Sequence, residues 1–199
     1  MTALRKTPPA LTPDAAPFAI RAERASDVAA LETLLDACFG ANRHLRTCQR
    51  LRDGRAPAEG LAFSAAHQGR LVGTLRLWHV SAGGVPALVL GPLAVDPSCR
   101  ELGVGAALMR HALATAKAAG HGAVILLGDA PYYARFGFSA LKIGELSLPG
   151  PFERDRLLGL ELREGALAGA CGTIAPTGAS VPEIRVRRAR APRPLPHAA

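Results

Sequence analysis

No stretch of this sequence reaches the roughly 18 to 20 uninterrupted apolar residues that a membrane-crossing helix requires, so no membrane partner is expected. Nor is there an apolar secretion-signal core near the start. Met1 to Pro17 offers Arg5 and Lys6, then prolines, and reads as a short flexible leader. Cysteine is sparse and unpatterned. Cys38, Cys48, Cys99 and Cys171 show no C-x-x-C spacing and no nearby histidine pair. That argues against a zinc site or a disulfide framework, so no metal is expected and a reducing cytoplasm is the simplest setting. Internal repeats are absent as well.

Acidic residues are few beside basic ones, and the formal net charge is +8. The distribution matters more than the total. About half of the excess lies in Arg185, Arg187, Arg188, Arg190 and Arg193, opposed only by Glu183. These arginines stand among prolines without aromatics. They offer phosphate contacts but no base stacking, and they read as a solvated tail. Nucleic acid is therefore not the expected partner of the folded body.

What the chain does have is ample apolar material for one core. The organisation expected is a leader at 1–17, a domain at 18–171 and an irregular, Arg/Pro-rich basic tail at 172–199. Phe18 to Glu23 suits a first strand. Ser26 offers a helix cap, followed by Val28, Leu31, Leu34, Leu35 and Cys38 at helical spacing, with Gly40 as the stop. A second, basic helix is expected at about Arg43 to Arg52, then a loop to Gly60. Leu61 to His67 reads as a strand. Leu71 to Trp78 alternates with period two, as a half-buried strand does. Ser81-Ala82-Gly83-Gly84 suits a hairpin turn. Ala87 to Val95 is nearly continuous apolar sequence, hence a central strand, with Gly91-Pro92 marking a bulge or an end of pairing.

A helical pattern runs from Gly103 to Ala119, and Ala123 to Leu127 reads as a buried parallel strand. Strand, helix and strand from 87 to 127 make a βαβ-type crossover. Pro131 to Phe136 fits a short helix, and Leu157 to Leu162 is the last good strand. The fold class is α+β, with a mixed central sheet flanked by helices.

The chemistry-bearing segment is the turn between the central strand and the long helix. Gly103 and Gly105 lack a β-carbon, so an anion can approach the backbone. The first N–H groups of a helix have no internal partner, and the dipole there favours negative charge. Arg100 adds a cation. The turn is built like a diphosphate cradle. It lacks the G-K-[ST] of a P-loop, and Leu108 breaks the dinucleotide pattern G-x-G-x-x-G. A glycine pair serves tight helix–sheet packing equally well.

Arg100-x-x-Gly103-x-Gly105, after Val95-Asp96-Pro97, resembles the Q/R-x-x-G-x-G/A cofactor loop of the GNAT superfamily of N-acetyltransferases. Tyr133-Ala134-Arg135-Phe136-Gly137-Phe138 resembles that family's Y-x-x-x-G-F segment, in the right order and on the right kind of element. The likeness covers roughly residues 18–165. Leu90-Gly91-Pro92-Leu93-Ala94-Val95 and Gly128-Asp129-Ala130-Pro131-Tyr132-Tyr133 look most like a branch of small stand-alone bacterial enzymes. The resemblance implies transfer of acetyl from acetyl-CoA to the primary amine of a small molecule or peptide, by a monomer or homodimer.

It also implies roles. The strands ending near Val95 and Leu127 would splay to admit the pantetheine arm. Leu93, Ala94 and Val95 would line it and polarise the thioester carbonyl. Arg100, Glu101, Leu102, Gly103, Val104, Gly105 and Ala106 would hold the pyrophosphate. Asp129 stands where many relatives carry Asn. Phe136 reads first as a core side chain, like Phe138, and is carried to the cofactor wall by its place in the motif. Tyr133 is the matched proton donor to the departing thiolate, being protonated at neutral pH as the role requires.

The strand before the loop carries no acid to serve as general base, and Glu59, His67 and His79 are conceivable substitutes through water. His44, Arg43, Arg46 and Arg50, with Phe152, Arg154 and Arg156, suit a basic substrate rim, as they suit a solvated charged face. Two other functions stay open on sequence: a non-catalytic coenzyme A or acyl-CoA sensor, and nucleic-acid binding through the basic tail.

Overall fold

Residues 17–181 are described in a computed structural model; the leader arginine and lysine and the Arg-rich tail lie outside them. The chain runs β1 (Ala19–Ala22), α1 (Val28–Phe39), β2 (Ala62–His67), β3 (Arg70–Ala82), β4 (Val85–Val95), α2 (Val104–Ala118), β5 (Ala123–Leu127), α3 (Ala130–Ala134), β6 (Glu145–Ser147), β7 (Leu157–Glu161) and β8 (Cys171–Pro176), with short 3₁₀ turns between. The strands form one mixed sheet in the order β1-β2-β3-β4-β5-β7, with β8 on the far end of β3 and β6 beside β8. Within it β4 and β5 are parallel, as are β6 and β8, and the other pairs are antiparallel.

Two layers of packing explain the sheet's apolar composition. On one face α2 lays Val104, Leu108, Met109, Ala112 and Ala116 on Phe63, Val72, Leu75 and Leu88. On the other, α1 sets Leu34 and Leu35 on Ala94, and the late strands bring Ile143, Leu146 and Leu157 onto Trp78, Val89 and Ile125. β3 is thus buried on both faces, with Val72 and Thr74 at 0% exposure and Trp78 at 7%. Its alternation predicts a half-buried strand; instead Thr74 is fully buried, Arg76 pairs with Glu23, and Trp78 packs under the late strands. Gly73 lets α2 come close, since a β-carbon there would stand 2.9 Å from Val104 Cγ1.

The basic helix expected at Arg43 to Arg52 is two 3₁₀ turns, Ala41–Leu45 and Thr47–Leu51, separated by Arg46 in an extended conformation. The break points Thr47 and Leu51 inward, both buried, and the Thr47 hydroxyl donates to the Pro151 carbonyl. Ser26 does not cap α1. A 3₁₀ turn at Ala25–Asp27 precedes the helix, and Asp27 accepts from the Arg24 N–H and from Arg21.

The irregular segment expected from residue 172 is also corrected. Cys171–Pro176 is a strand paired with Val80–Ala82 and with Glu145–Ser147. The Ala56 and Val181 N–H groups then tie residues 179–181 back to the loop at 54–56. Only Ile174 of β8 is buried, so the strand lacks the apolar run by which sequence periodicity is read.

Candidate active site

β4 and β5 pair only at Leu88↔Val124 and Val89↔Ile125. Beyond these residues β4 continues to Val95 and β5 to Leu127 with no shared ladder. A bulge helps them part: Leu75 faces Leu93 and Leu77 faces Leu90, leaving the two residues Gly91-Pro92 opposite Arg76 alone. Trp78 Nε1 donates to the Gly91 carbonyl at 2.6 Å and fixes the distortion. Gly91-Pro92 marks a bulge or an end of pairing from the sequence, and the family resemblance implies the splay; a bulge and a splay are both found here.

The fork opens into a cleft of about 730 Å³. One prong supplies Leu90 to Leu93 and the other Leu126 to Asp129. The turns after α1 and the segment before β7 close its outer side, with Arg43, Arg46, Thr47 and Arg52 from the first and Phe152 and Arg156 from the second. A second cavity of about 440 Å³ runs from the fork to the start of α2. Phe39, Leu93, Tyr132 and Tyr133 line both, so the two cavities meet at a waist between β4 and α3.

The second cavity gathers Leu93, Ala94, Val95, Arg100, Glu101, Gly103, Gly105, Ala106 and Tyr133. Four of the residues carried over from the family motif stand elsewhere. Asp129 lines the larger cleft. Leu102 sits half-exposed in the turn before α2, Val104 is buried beneath it and Phe136 packs on the core. These offer the cavity backbone at most.

Gly103 is left-handed at φ 75° and caps α2, with nothing within 4 Å of the place a β-carbon would take. The N–H groups of Val104, Gly105 and Ala106 begin the helix and have no carbonyl four residues back within it. No acidic residue stands in the first turn of α2 to compete for them. A bulky anion fits this cradle by sterics and by field. Among the described residues no three His, Cys, Asp or Glu side chains gather as a metal-ligand set, and no helix is long and apolar enough to cross a membrane.

Tyr133 is largely buried at the waist, edge-on to Phe138 and Tyr132. Burial pushes its phenol up to about 12, helped by the nearby Tyr132 and Asp129 and opposed by Arg156. The group is therefore a protonated acid throughout the neutral range. Tyr132 carries the Arg135 guanidinium over its ring at 4.0 Å, and its hydroxyl lies 3.1 Å from the β-carbon site of Gly105.

The suggested bases do not reach either cavity. Glu59 is exposed, His67 binds the Pro17 carbonyl and His79 sits beside His121. The carboxylates that do line the cleft are Asp129 and Glu153. Of the basic rim, Arg43, Arg46, Phe152 and Arg156 face the cleft. Arg50 turns to the Pro149 carbonyl, Arg154 to the Leu146 and Gly144 carbonyls, and His44 stays exposed. Sequence reading missed Phe39, Cys38 and Arg52. Cys38 donates to the Val95 carbonyl and lines the smaller cavity. No local pattern marks any of the three; each reaches the site through long-range packing on β4.

Comparison with known proteins agrees with this architecture. A family model described as "Acetyltransferase (GNAT) family" matches residues 28–138. The chain is 30% identical over 132 residues to the uncharacterized N-acetyltransferase YjhQ of Escherichia coli, covering 64% of this chain and 71% of that protein. It is 27% identical over 157 residues to the uncharacterized N-acetyltransferase YhbS of E. coli, covering 78% and 93%. The crystal structure of E. coli YhbS in complex with CoA superposes with a TM-score of 0.71, at 27% identity, over 84% of this chain and 93% of that one. A GNAT acetyltransferase of Brucella melitensis, solved with acetyl-CoA, gives 0.57 at 26% identity over 85% and 98%. A GNAT-model match across more than half the sequence establishes that this chain belongs to the GNAT family of acetyltransferases.

Proposed function

We propose that this protein moves the acetyl group of acetyl-CoA directly onto a primary amine, with Tyr133 as general acid. The observation that carries the reading is the meeting of two cavities at Leu93 and Tyr133. One cavity has the cradle for a diphosphate and the other has room for an acceptor, so the reactants approach from opposite sides of the waist. The solved relatives named for CoA and acetyl-CoA support the same assignment.

Acetyl-CoA supplies the acetyl as an activated thioester. The Gly103 turn and the first N–H groups of α2 hold the diphosphate, with Arg100 beside them. Leu102 and Val104 flank this turn, Phe136 packs on the core, and Asp129 faces the larger cleft. The edge of β4 at Leu93 to Val95, released from β5, presents backbone donors to the carbonyl oxygen as it gains charge. A neutral amine in the larger cleft attacks the carbonyl carbon. The carbon–sulfur bond breaks, and the sulfur takes the Tyr133 proton. The phenol recovers its proton from solvent as the amine nitrogen loses one. No group need store the acetyl between steps, and none of the cysteines is required. All four are free thiols, which supports a reducing, cytoplasmic setting.

Stopped assays of thiol release with an amine panel test the reading. Acetyl transfer to an added amine, confirmed by mass, is the expected result. Tight CoA binding with no transfer to any amine would instead favour a sensor built on this fold.

A further inference from the structure

Arg52 stands apart from the other guanidiniums around the cleft. Its Nε donates to the Cys48 carbonyl at 3.1 Å, and among the described residues no carboxylate lies within salt-bridge distance of it. The nearest acid in sequence, Asp53, is held by the Gln49 amide at 2.7 Å. Neighbouring cations are answered. Arg43 pairs with Glu32 and Asp36, and Arg76 makes a two-pronged pair with Glu23 at 2.6 and 2.7 Å. Burial pulls the Arg52 pKa below its ordinary value, opposed only in part by Cys48 and Asp53. An unpaired, desolvated guanidinium is costly to keep.

The position of Arg52 says which part of a ligand it would meet. Arg52 lines the acceptor cleft, and its Nη1 is 3.6 Å from the β-carbon site of Gly91. Gly91 precedes Leu93 by two residues on β4, at the bulge. With Nε committed to Cys48, the two Nη atoms remain as a fork of donors suited to a carboxylate. Arg46 and Arg156 line the same cleft. Arg46 stands over the Phe39 ring at 5.0 Å, and Arg156 reaches the exposed Glu153 at 3.5 Å while its Nε donates to the Gly128 carbonyl at 3.4 Å. A polycationic amine would bring further positive charge into this group.

We propose that Arg52 receives the carboxylate of a small amino-carboxylate acceptor, holding it so that an amine a few carbons away reaches the waist at Leu93 and Tyr133. The inference rests on the acetyltransferase reading of the cleft. It favours anionic amines over polyamines and neutral amines, although Asp129 and Glu153 line the same cleft.

The test is equilibrium titration of the CoA-bound protein with ω-amino carboxylates of two to six carbons and with the matching carboxamides. The wild-type protein is expected to bind at least one carboxylate about 10-fold or more tightly than its amide. Arg52→Gln abolishes that preference and Arg52→Lys keeps part of it. Because no salt bridge holds the charge in the free protein, Arg52→Gln leaves its Tm unchanged or raises it, whereas a merely structural arginine would lower it. Equal affinity for the two series in wild type, or a preference that survives in Arg52→Gln, overturns the assignment. CoA binding, measured in the same titrations, reports separately on the cofactor pocket. Its loss in wild type would defeat the acetyltransferase reading itself.

Discussion

The Tyr133 ring lies against the backbone of Gly128: a β-carbon at position 128 would fall 2.2 Å from Tyr133 Cε2. The end of β5 thus sets the position of the phenol at the waist, and only glycine leaves room for it there. Gly128→Ala is expected to push the ring aside and lower turnover while CoA binding, formed mainly at α2, changes little. Steady-state kinetics beside calorimetry check this. Full activity in Gly128→Ala would show that the ring's position is unimportant.

Tyr133→Phe removes the proposed proton donor and keeps the ring. Turnover is expected to fall about 100-fold, within the range that positioned acids contribute, with CoA affinity within about twofold of wild type. Equal losses in both would make Tyr133 a binding residue instead.

The pH profile follows from the direction of the Tyr133 shift. The phenol, raised to about 12, keeps its proton over the whole practical range. The acceptor amine must lose its own proton before attack. Activity in kcat/KM should therefore rise with pH and show no descending alkaline limb below about pH 10. A loss of activity with an apparent pKa near 8 or 9 would assign proton donation to another group.

Asp27 offers a prediction about stability. It is 7% exposed and accepts from both Nη atoms of Arg21 at 2.6 and 2.8 Å, from the Arg24 N–H at 2.8 Å and from Ser64 Oγ at 3.2 Å. The hydrogen bonds from Arg21 hold its carboxyl well below the usual range. A carboxylate with a depressed folded pKa contributes stability above its unfolded pKa, near 3.9, and that stability is lost as pH falls through the folded value. Asp27→Asn should cost about 1–2 kcal/mol at neutral pH. The gap between variant and wild type should shrink below about pH 4. Denaturant melts at the two pH values measure it, and a constant gap would contradict the pairing.

Much of the site was legible because its signals are local. Gly103 takes the left-handed cap that its place between strand and helix demands, and Gly91-Pro92 distorts β4 where proline must interrupt a ladder. The parallel crossover from β4 to β5 follows from two apolar runs and one amphipathic helix. What sequence did not show depends on distant packing. β8 rests on pairing with Val80–Ala82 rather than on its own hydrophobicity. The turns at Ala41–Leu45 and Thr47–Leu51 replace a helix because Thr47 reaches Pro151, over a hundred positions away in sequence. Arg52 gains its meaning only from the bulge at Gly91 on the opposite wall.

The most direct test of the central claim is calorimetric titration of the purified protein with CoA and with acetyl-CoA, in wild type and in Gly103→Val. Wild type is expected to bind both at about micromolar strength or better. A valine at position 103 would occupy the open space of the cradle and strain a left-handed backbone, so binding should be lost while the melting transition persists. No binding by wild type, or unchanged affinity in a folded Gly103→Val, would contradict the assignment of this turn as the diphosphate site.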